Sequence, residues 1–104
     1  MRIGIVGGMD RSAPQVRRLA AQAGVDIELH TGVTAGRGSP ELESLVRRCD
    51  LIVVVTALNS HGGVRLARQL ARQYGRQVIL ANHWGISKLS QLLDSLRDQR
   101  PVAA

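Results

Sequence analysis

The chain has 104 residues, 44% of them hydrophobic, so one domain with a core of ordinary proportions, and no second, is expected. The formal charge is +6, but the arginines are spread over the start of strand one, the first three helices and the tail, and aromatic residues amount to 2%, so there is no stacking platform for single-stranded bases and sequence-specific nucleic-acid recognition is not expected. The longest apolar run, Leu51 to Val55, falls far short of the ~20 residues of a membrane span, and Met1 leads directly into a strand-like segment with no signal-peptide pattern, so a cytoplasmic protein with no membrane partner is expected.

In chain order, strand and helix patterns alternate, each helix repeating apolar residues at i, i+3, i+4, i+7. Strand one is Arg2 to Val6, followed by the turn Gly7-Gly8-Met9-Asp10-Arg11. Helix one takes Ser12 as N-cap and Pro14 in its first turn, buries Val16, Leu19, Ala20 and Ala23, and stops at Gly24. Strand two is Val25 to His30, and the glycine-rich loop Thr31 to Gly38 is expected to be the most mobile part of the fold. Helix two opens with Ser39-Pro40-Glu41 as cap, N1 proline and first-turn carboxylate, buries Leu42, Leu45, Val46 and Cys49, and runs into strand three without a spacer.

Strand three, Leu51 to Val55, is the element around which the rest is arranged, because an apolar run without polar alternation suits a strand covered on both faces of a parallel sheet. After the polar turn Thr56 to Gly63, helix three buries Val64, Ala67, Leu70, Ala71 and Tyr74 and ends at Gly75, with Arg65, Arg68 and Arg72 on a solvated outer face. Strand four is Gln77 to Ala81; Asn82-His83-Trp84-Gly85-Ile86 then leads to helix four, capped by Ser87 and burying Leu89, Leu92, Leu93 and Leu96. Residues 1–97 are expected to form a single α/β domain and 98–104 a flexible C-terminal tail. Four strands alternating with four helices through right-handed crossovers predict a three-layer α/β/α sandwich on a four-stranded parallel sheet of order 2-1-3-4, Rossmann-like or receiver-like.

Ile5-Val6-Gly7-Gly8 after strand one, His30 ending strand two, Cys49-Asp50 before an aliphatic strand three, and Thr56-x-x-Asn59-Ser60-His61 after it resemble the bacterial domain-of-unknown-function family DUF 2325 over nearly the whole chain. The resemblance implies a compact Rossmann-like domain and brings no assigned activity. Members of that family often carry an acidic residue soon after the strand-two histidine and a proline entering strand four, where this chain has Thr31-Gly32 and Arg76-Gln77.

Open α/β sheets bind ligands at the carboxyl ends of their strands, which draws attention to four clusters: Gly7, Gly8, Arg11 and Ser12; Thr56, Asn59, Ser60 and His61; Asn82 and His83; and Ser87. Helices one, three and four all begin there with free N–H groups and a partial positive charge, favouring a phosphate, carboxylate or nucleotide. Neither the Gly-x-Gly-x-x-Gly fingerprint nor the P-loop pattern occurs. A metal or haem reading uses His30, His61 and His83, all at carboxyl ends, although loops would have to fold inward for imidazoles on separated strands to converge. Cys49, the single cysteine, lies on an apolar stripe and reads as a buried inert thiol.

No acid–base pair or nucleophile with a neighbouring base stands out, so a non-catalytic module is expected. The reading is a small cytoplasmic ligand-binding or regulatory domain with a small anionic ligand, and the residues identify no cofactor. The alternatives are a metal- or haem-linked protein and a non-catalytic homodimeric interaction domain, joined through strand four, helix four and Trp84.

Overall fold

A computed structural model describes residues 1–7, 13–32, 38–56, 61–83 and 85–99, with the side chains of 13, 61 and 97–99 outside the description. The elements run β1 (Arg2–Val6), α1 (Ala13–Gln22), β2 (Asp26–His30), α2 (Gly38–Arg48), β3 (Leu51–Val55), α3 (His61–Gln73), β4 (Gln77–Ala81) and α4 (Ile86–Gln99). The sheet is four-stranded and wholly parallel in the order β2-β1-β3-β4, as the alternation of strand and helix predicts.

Strand alternation divides the core into two layers. Ile3 and Ile5 of β1 and Leu51, Val53 and Val55 of β3 face Val16 and Ala20 of α1 and Leu89 and Leu93 of α4. Val6, Ile52 and Val54 face Leu42, Leu45 and Val46 of α2 and Ala67, Leu70 and Ala71 of α3. All five residues of β3 are buried, which explains why that strand reads as an unbroken apolar run. With α1 and α4 on one face and α2 and α3 on the other, the connections leaving β1 and β3 part in opposite directions, the topological switch point of an open parallel sheet.

Helices α1 and α3 both end on glycine. Gly24 and Gly75 have φ of 74° and 68°, and Val25 N–H donates to the Ala20 carbonyl at 2.9 Å as Arg76 N–H does to Ala71 at 2.7 Å, each closing a Schellman turn. Val25 is therefore spent in the turn, and β2 starts one residue later than expected, at Asp26.

The starts of three helices differ from the sequence reading for a shared reason: the first turn of a helix has no intrahelical N–H bonds and no obligatory apolar residue, so apolar spacing locates it poorly. Helix α2 begins at Gly38, ahead of the expected Ser39 cap; Pro40 remains within the first turn, where its missing N–H costs nothing. Helix α3 begins at His61, so the last three residues of the expected polar turn are helical. Helix α4 begins at Ile86 with Gly85 as its N-cap, because Leu89 N–H donates to the Gly85 carbonyl at 3.0 Å; Ser87 is at the second helical position and does not cap. Helix α4 also continues to Gln99, past the expected end of the ordered domain. Two residues, Cys49 and Asp50, separate α2 from β3, and Asp50 uses that space to receive the Arg2 N–H on Oδ2 at 2.8 Å while its own N–H donates to the Arg2 carbonyl.

Candidate functional site

Four parallel strands in register end together: Val6 lies opposite both His30 and Val54, and Val55 opposite Ala81. The ladder runs one residue past the strands, with Gly7 N–H donating to the His30 carbonyl at 2.7 Å and Thr56 N–H to the Ala81 carbonyl at 2.8 Å. The sequence-predicted residues Gly7, Thr56, Asn82 and His83 are thus brought to one edge. Gly8, Arg11, Ser12, Asn59, Ser60 and the side chain of His61 lie outside the described residues, as do Trp84, most of the loop expected to be mobile and the last five residues of the tail.

At that edge the Thr56 hydroxyl lies 3.3 Å from Asn82 Oδ1 and 3.5 Å from the Ala81 carbonyl oxygen, so its one hydrogen ties β3 to the segment after β4. With Oδ1 accepting from Thr56, the Asn82 amide keeps its N–H donors for another partner. Beside it, between β4 and α4, is a cavity of about 430 Å³ lined by Ile79, Leu80, Ala81, Asn82, His83, Lys88, Gln91 and Leu92. Its walls are mostly apolar; its polar groups are one cation, one imidazole and two amides, with no carboxylate among them. Ser87 is exposed and does not line it. Gln91 and Leu92 lie three and four residues after Lys88 on one face of α4; from the sequence Leu92 reads only as a core residue and Gln91 is not singled out, and their spacing from Lys88 was the available signal for the cavity wall.

A second, polar cavity of about 300 Å³ lies at the opposite sheet edge, lined by Arg17, Glu28, Leu29, His30, Glu41, Leu45 and Arg48. Most of its polar groups serve one another or the backbone. Arg48 NH2 and Nε donate to Glu28 Oε1 at 2.8 and 3.1 Å, and the Cys49 thiol is 3.4 Å from Oε2. The Arg48 guanidinium holds the Glu28 carboxyl below its ordinary range, while burial, followed by the adjacent carboxylate, pushes the Cys49 thiol up to about 12. Arg17 donates to the Ile27 carbonyl at 3.2 Å. This cluster anchors β2 to α1 and α2 and has little bonding capacity left for a ligand.

His30 belongs to the same anchoring. Gly32 N–H donates to its Nδ1 at 2.9 Å, and its Nε2 is 3.0 Å from the Gly38 carbonyl oxygen; only the neutral tautomer with hydrogen on Nε2 makes both bonds. The ring clasps the two ends of the loop between β2 and α2, with both nitrogens engaged. His30 ends β2 and His83 lies just after β4, the two outer strands, roughly 14 Å apart at ~4.8 Å per strand. These two imidazoles do not converge on one ion, and among the described residues no group of three or more His, Cys, Asp or Glu side chains is placed to hold a metal. Among the described residues, too, no helix is long and apolar enough to cross a membrane.

Comparison with known proteins gives the same extent as the fold. The model of the family described as an uncharacterized protein conserved in bacteria (DUF2325) matches residues 2–96. The UPF0751 protein DSY3086 of Desulfitobacterium hafniense (strain Y51) is 22% identical over 96 residues, covering 90% of this chain and 92% of that protein. No solved structure matches the chain.

Proposed function

Since the chain belongs to the DUF2325 family of uncharacterized bacterial proteins, we propose that it is a small ligand-binding or regulatory domain that holds a small anion at the carboxyl edge of its sheet. One observation supports this reading above the rest: the cavity beside β4 combines apolar walls with Lys88, His83, Asn82 and Gln91 and no carboxylate. Its size of about 430 Å³ falls within the usual ~300–1,000 Å³ of small-molecule sites. An anionic group would meet the Lys88 ammonium and the Asn82 amide, and a flat or apolar body would rest on Ile79, Leu80 and Leu92; a mononucleotide meets both requirements.

The test is a melting screen of phosphate, sulfate, small carboxylates and mononucleotides at fixed ionic strength. A ligand of millimolar Kd at ~10 mM stabilises by about 1.4 kcal/mol, a shift of several degrees for a domain of this size. Lys88→Gln should remove most of the shift. If no compound moves the midpoint beyond a chloride control, the reading fails.

A second reading, a non-catalytic homodimer, is favoured by the unequal sheet edges. The outer strand β2 carries Asp26 and Glu28, each with an arginine partner, whereas β4 (Gln77 to Ala81) is uncharged with Leu80 51% exposed. Charges guard edges against pairing, and β4 has none. Two copies joined antiparallel through β4 would cover Leu80 without bringing like charges together. A doubled mass in sedimentation at micromolar concentration, lost in Leu80→Lys, supports it; a monomeric mass throughout the accessible range rejects it.

A further inference from the structure

The net charge of +6 is not evenly shared. Residues 51–93 contain Arg65, Arg68, Arg72, Arg76 and Lys88 and no Asp or Glu, so this stretch carries +5. Residues 1–50 hold seven arginines against six carboxylates, and residues 94–104 hold two against two. Most other described arginines are engaged in the fold: Arg2 and Arg48 with Asp26 and Glu28, Arg17 on the Ile27 carbonyl, Arg76 on the Val46 and Arg47 carbonyls, and Arg47 over the Tyr74 ring. Arg65, Arg68 and Arg72 are different. All three are exposed, none has a hydrogen-bond or ion-pair partner among the described residues, and with Gln69 they line a shallow groove of about 310 Å³ on α3. The face of α3 that the fold needs is the opposite one, where Ala67, Leu70 and Ala71 are buried.

We propose that this arginine face binds the phosphate backbone of duplex DNA without regard to sequence. At 1.5 Å per helical residue, Arg65 and Arg72 are separated by roughly 10 Å along the α3 axis, a length of duplex axis over which one strand places about three phosphates at ~3.4 Å of axial rise each. Guanidinium groups match phosphate oxygens in a bidentate manner, and three on one face can follow successive phosphates. A duplex fits better than a single strand, because the aromatic residue of α3's end, Tyr74, has its hydroxyl on Glu43 at 2.6 Å and its ring against Arg47. A membrane surface fits less well, because the residue among the arginines is Gln69 and the groove has no apolar side chain to insert. The inference is independent of the small-anion cavity, which uses other residues.

The experiment is fluorescence anisotropy with two 20-base-pair DNA duplexes of unrelated sequence, titrated between 50 and 200 mM salt. Three phosphate contacts predict a slope of log K on log salt of about −2.7, so binding is about 40-fold weaker at 200 than at 50 mM, equally for both duplexes. Arg65→Gln, Arg68→Gln and Arg72→Gln together should abolish most of the slope, whereas the charge-matched set Arg18→Gln, Arg37→Gln and Arg100→Gln should keep it. Should the triple variant not fold, Arg68→Glu against Arg18→Glu makes the same comparison, with the larger loss expected at Arg68. Equal losses from both sets would overturn the proposal by reducing it to net charge. So would tighter binding to phosphatidylserine vesicles than to duplex at equal ionic strength, or no duplex binding at 50 mM salt.

Discussion

Gly4, in the middle of β1, offers a quantitative test of the packing between β1 and α2. A Cβ built there meets Leu45 Cδ2 inside contact distance, with Cys49 Sγ at 3.1 Å and Leu45 Cγ at 3.2 Å, and both neighbours are buried. Overpacking of this kind costs ~1–3 kcal/mol. The restricted unfolded chain of an alanine returns ~0.4–1 kcal/mol. The clash wins: Gly4→Ala should destabilise by about 1–2 kcal/mol, lowering Tm by roughly 4–8 °C for each kcal/mol. Urea unfolding should show a lower midpoint with an unchanged m-value. Leu45→Ala alone leaves a cavity, at ~2–5 kcal/mol. In the double variant, however, the new methyl occupies part of that space, so the combined loss should fall short of the sum by at least ~0.5 kcal/mol. A Gly4→Ala protein as stable as the parent, or strict additivity with Leu45→Ala, would refute the placement of α2 over β1.

Three further outcomes are expected. Cys49, 1% exposed and with its thiol pushed up to about 12, should react with a thiol reagent at pH 8 only as fast as the chain unfolds; prompt labelling of the native protein would contradict its burial. The Glu28 carboxyl is held below its ordinary range by Arg48, so its contribution to stability is complete above the usual glutamate pKa and disappears as pH falls through the lowered value; the urea midpoints of parent and Glu28→Gln should converge between pH 5 and pH 3, in the sense of ~pKa 4.3 for the unfolded chain. His30→Ala removes two hydrogen bonds of a partly buried ring and should cost about 1–3 kcal/mol by urea denaturation; a neutral effect would show that the clasp contributes nothing.

The strands were legible because each carries its own signal. Leu51 to Val55 has no polar residue since both faces are covered, and Gly24 and Gly75 mark helix ends through the left-handed conformation that a Schellman turn requires. The strand order was legible for the same reason, once the central strand was known. Helix starts were less so: Gly38 and His61 open their helices with no apolar side chain, and Ile86, though apolar, is exposed, so the buried pattern begins later than the backbone does. Asn82 and His83 could be placed at the carboxyl edge from their position after β4, but Lys88, Gln91 and Leu92 join them only because β4 is the outer strand and α4 runs back beside it. The role of His30 could not be read locally, since its second partner, the Gly38 carbonyl, returns from eight residues further along.

The central claim, a small-anion site beside β4, is tested most directly by mapping a bound mononucleotide or phosphate on amide and side-chain NMR resonances at constant ionic strength. The expected result is saturable shifts concentrated in Ala81, Asn82, His83, Lys88 and Gln91, including the Asn82 side-chain amide, with the β2 edge around Glu28 and His30 unmoved. Shifts confined to the arginines of α3, or none that saturate in the millimolar range, would contradict it.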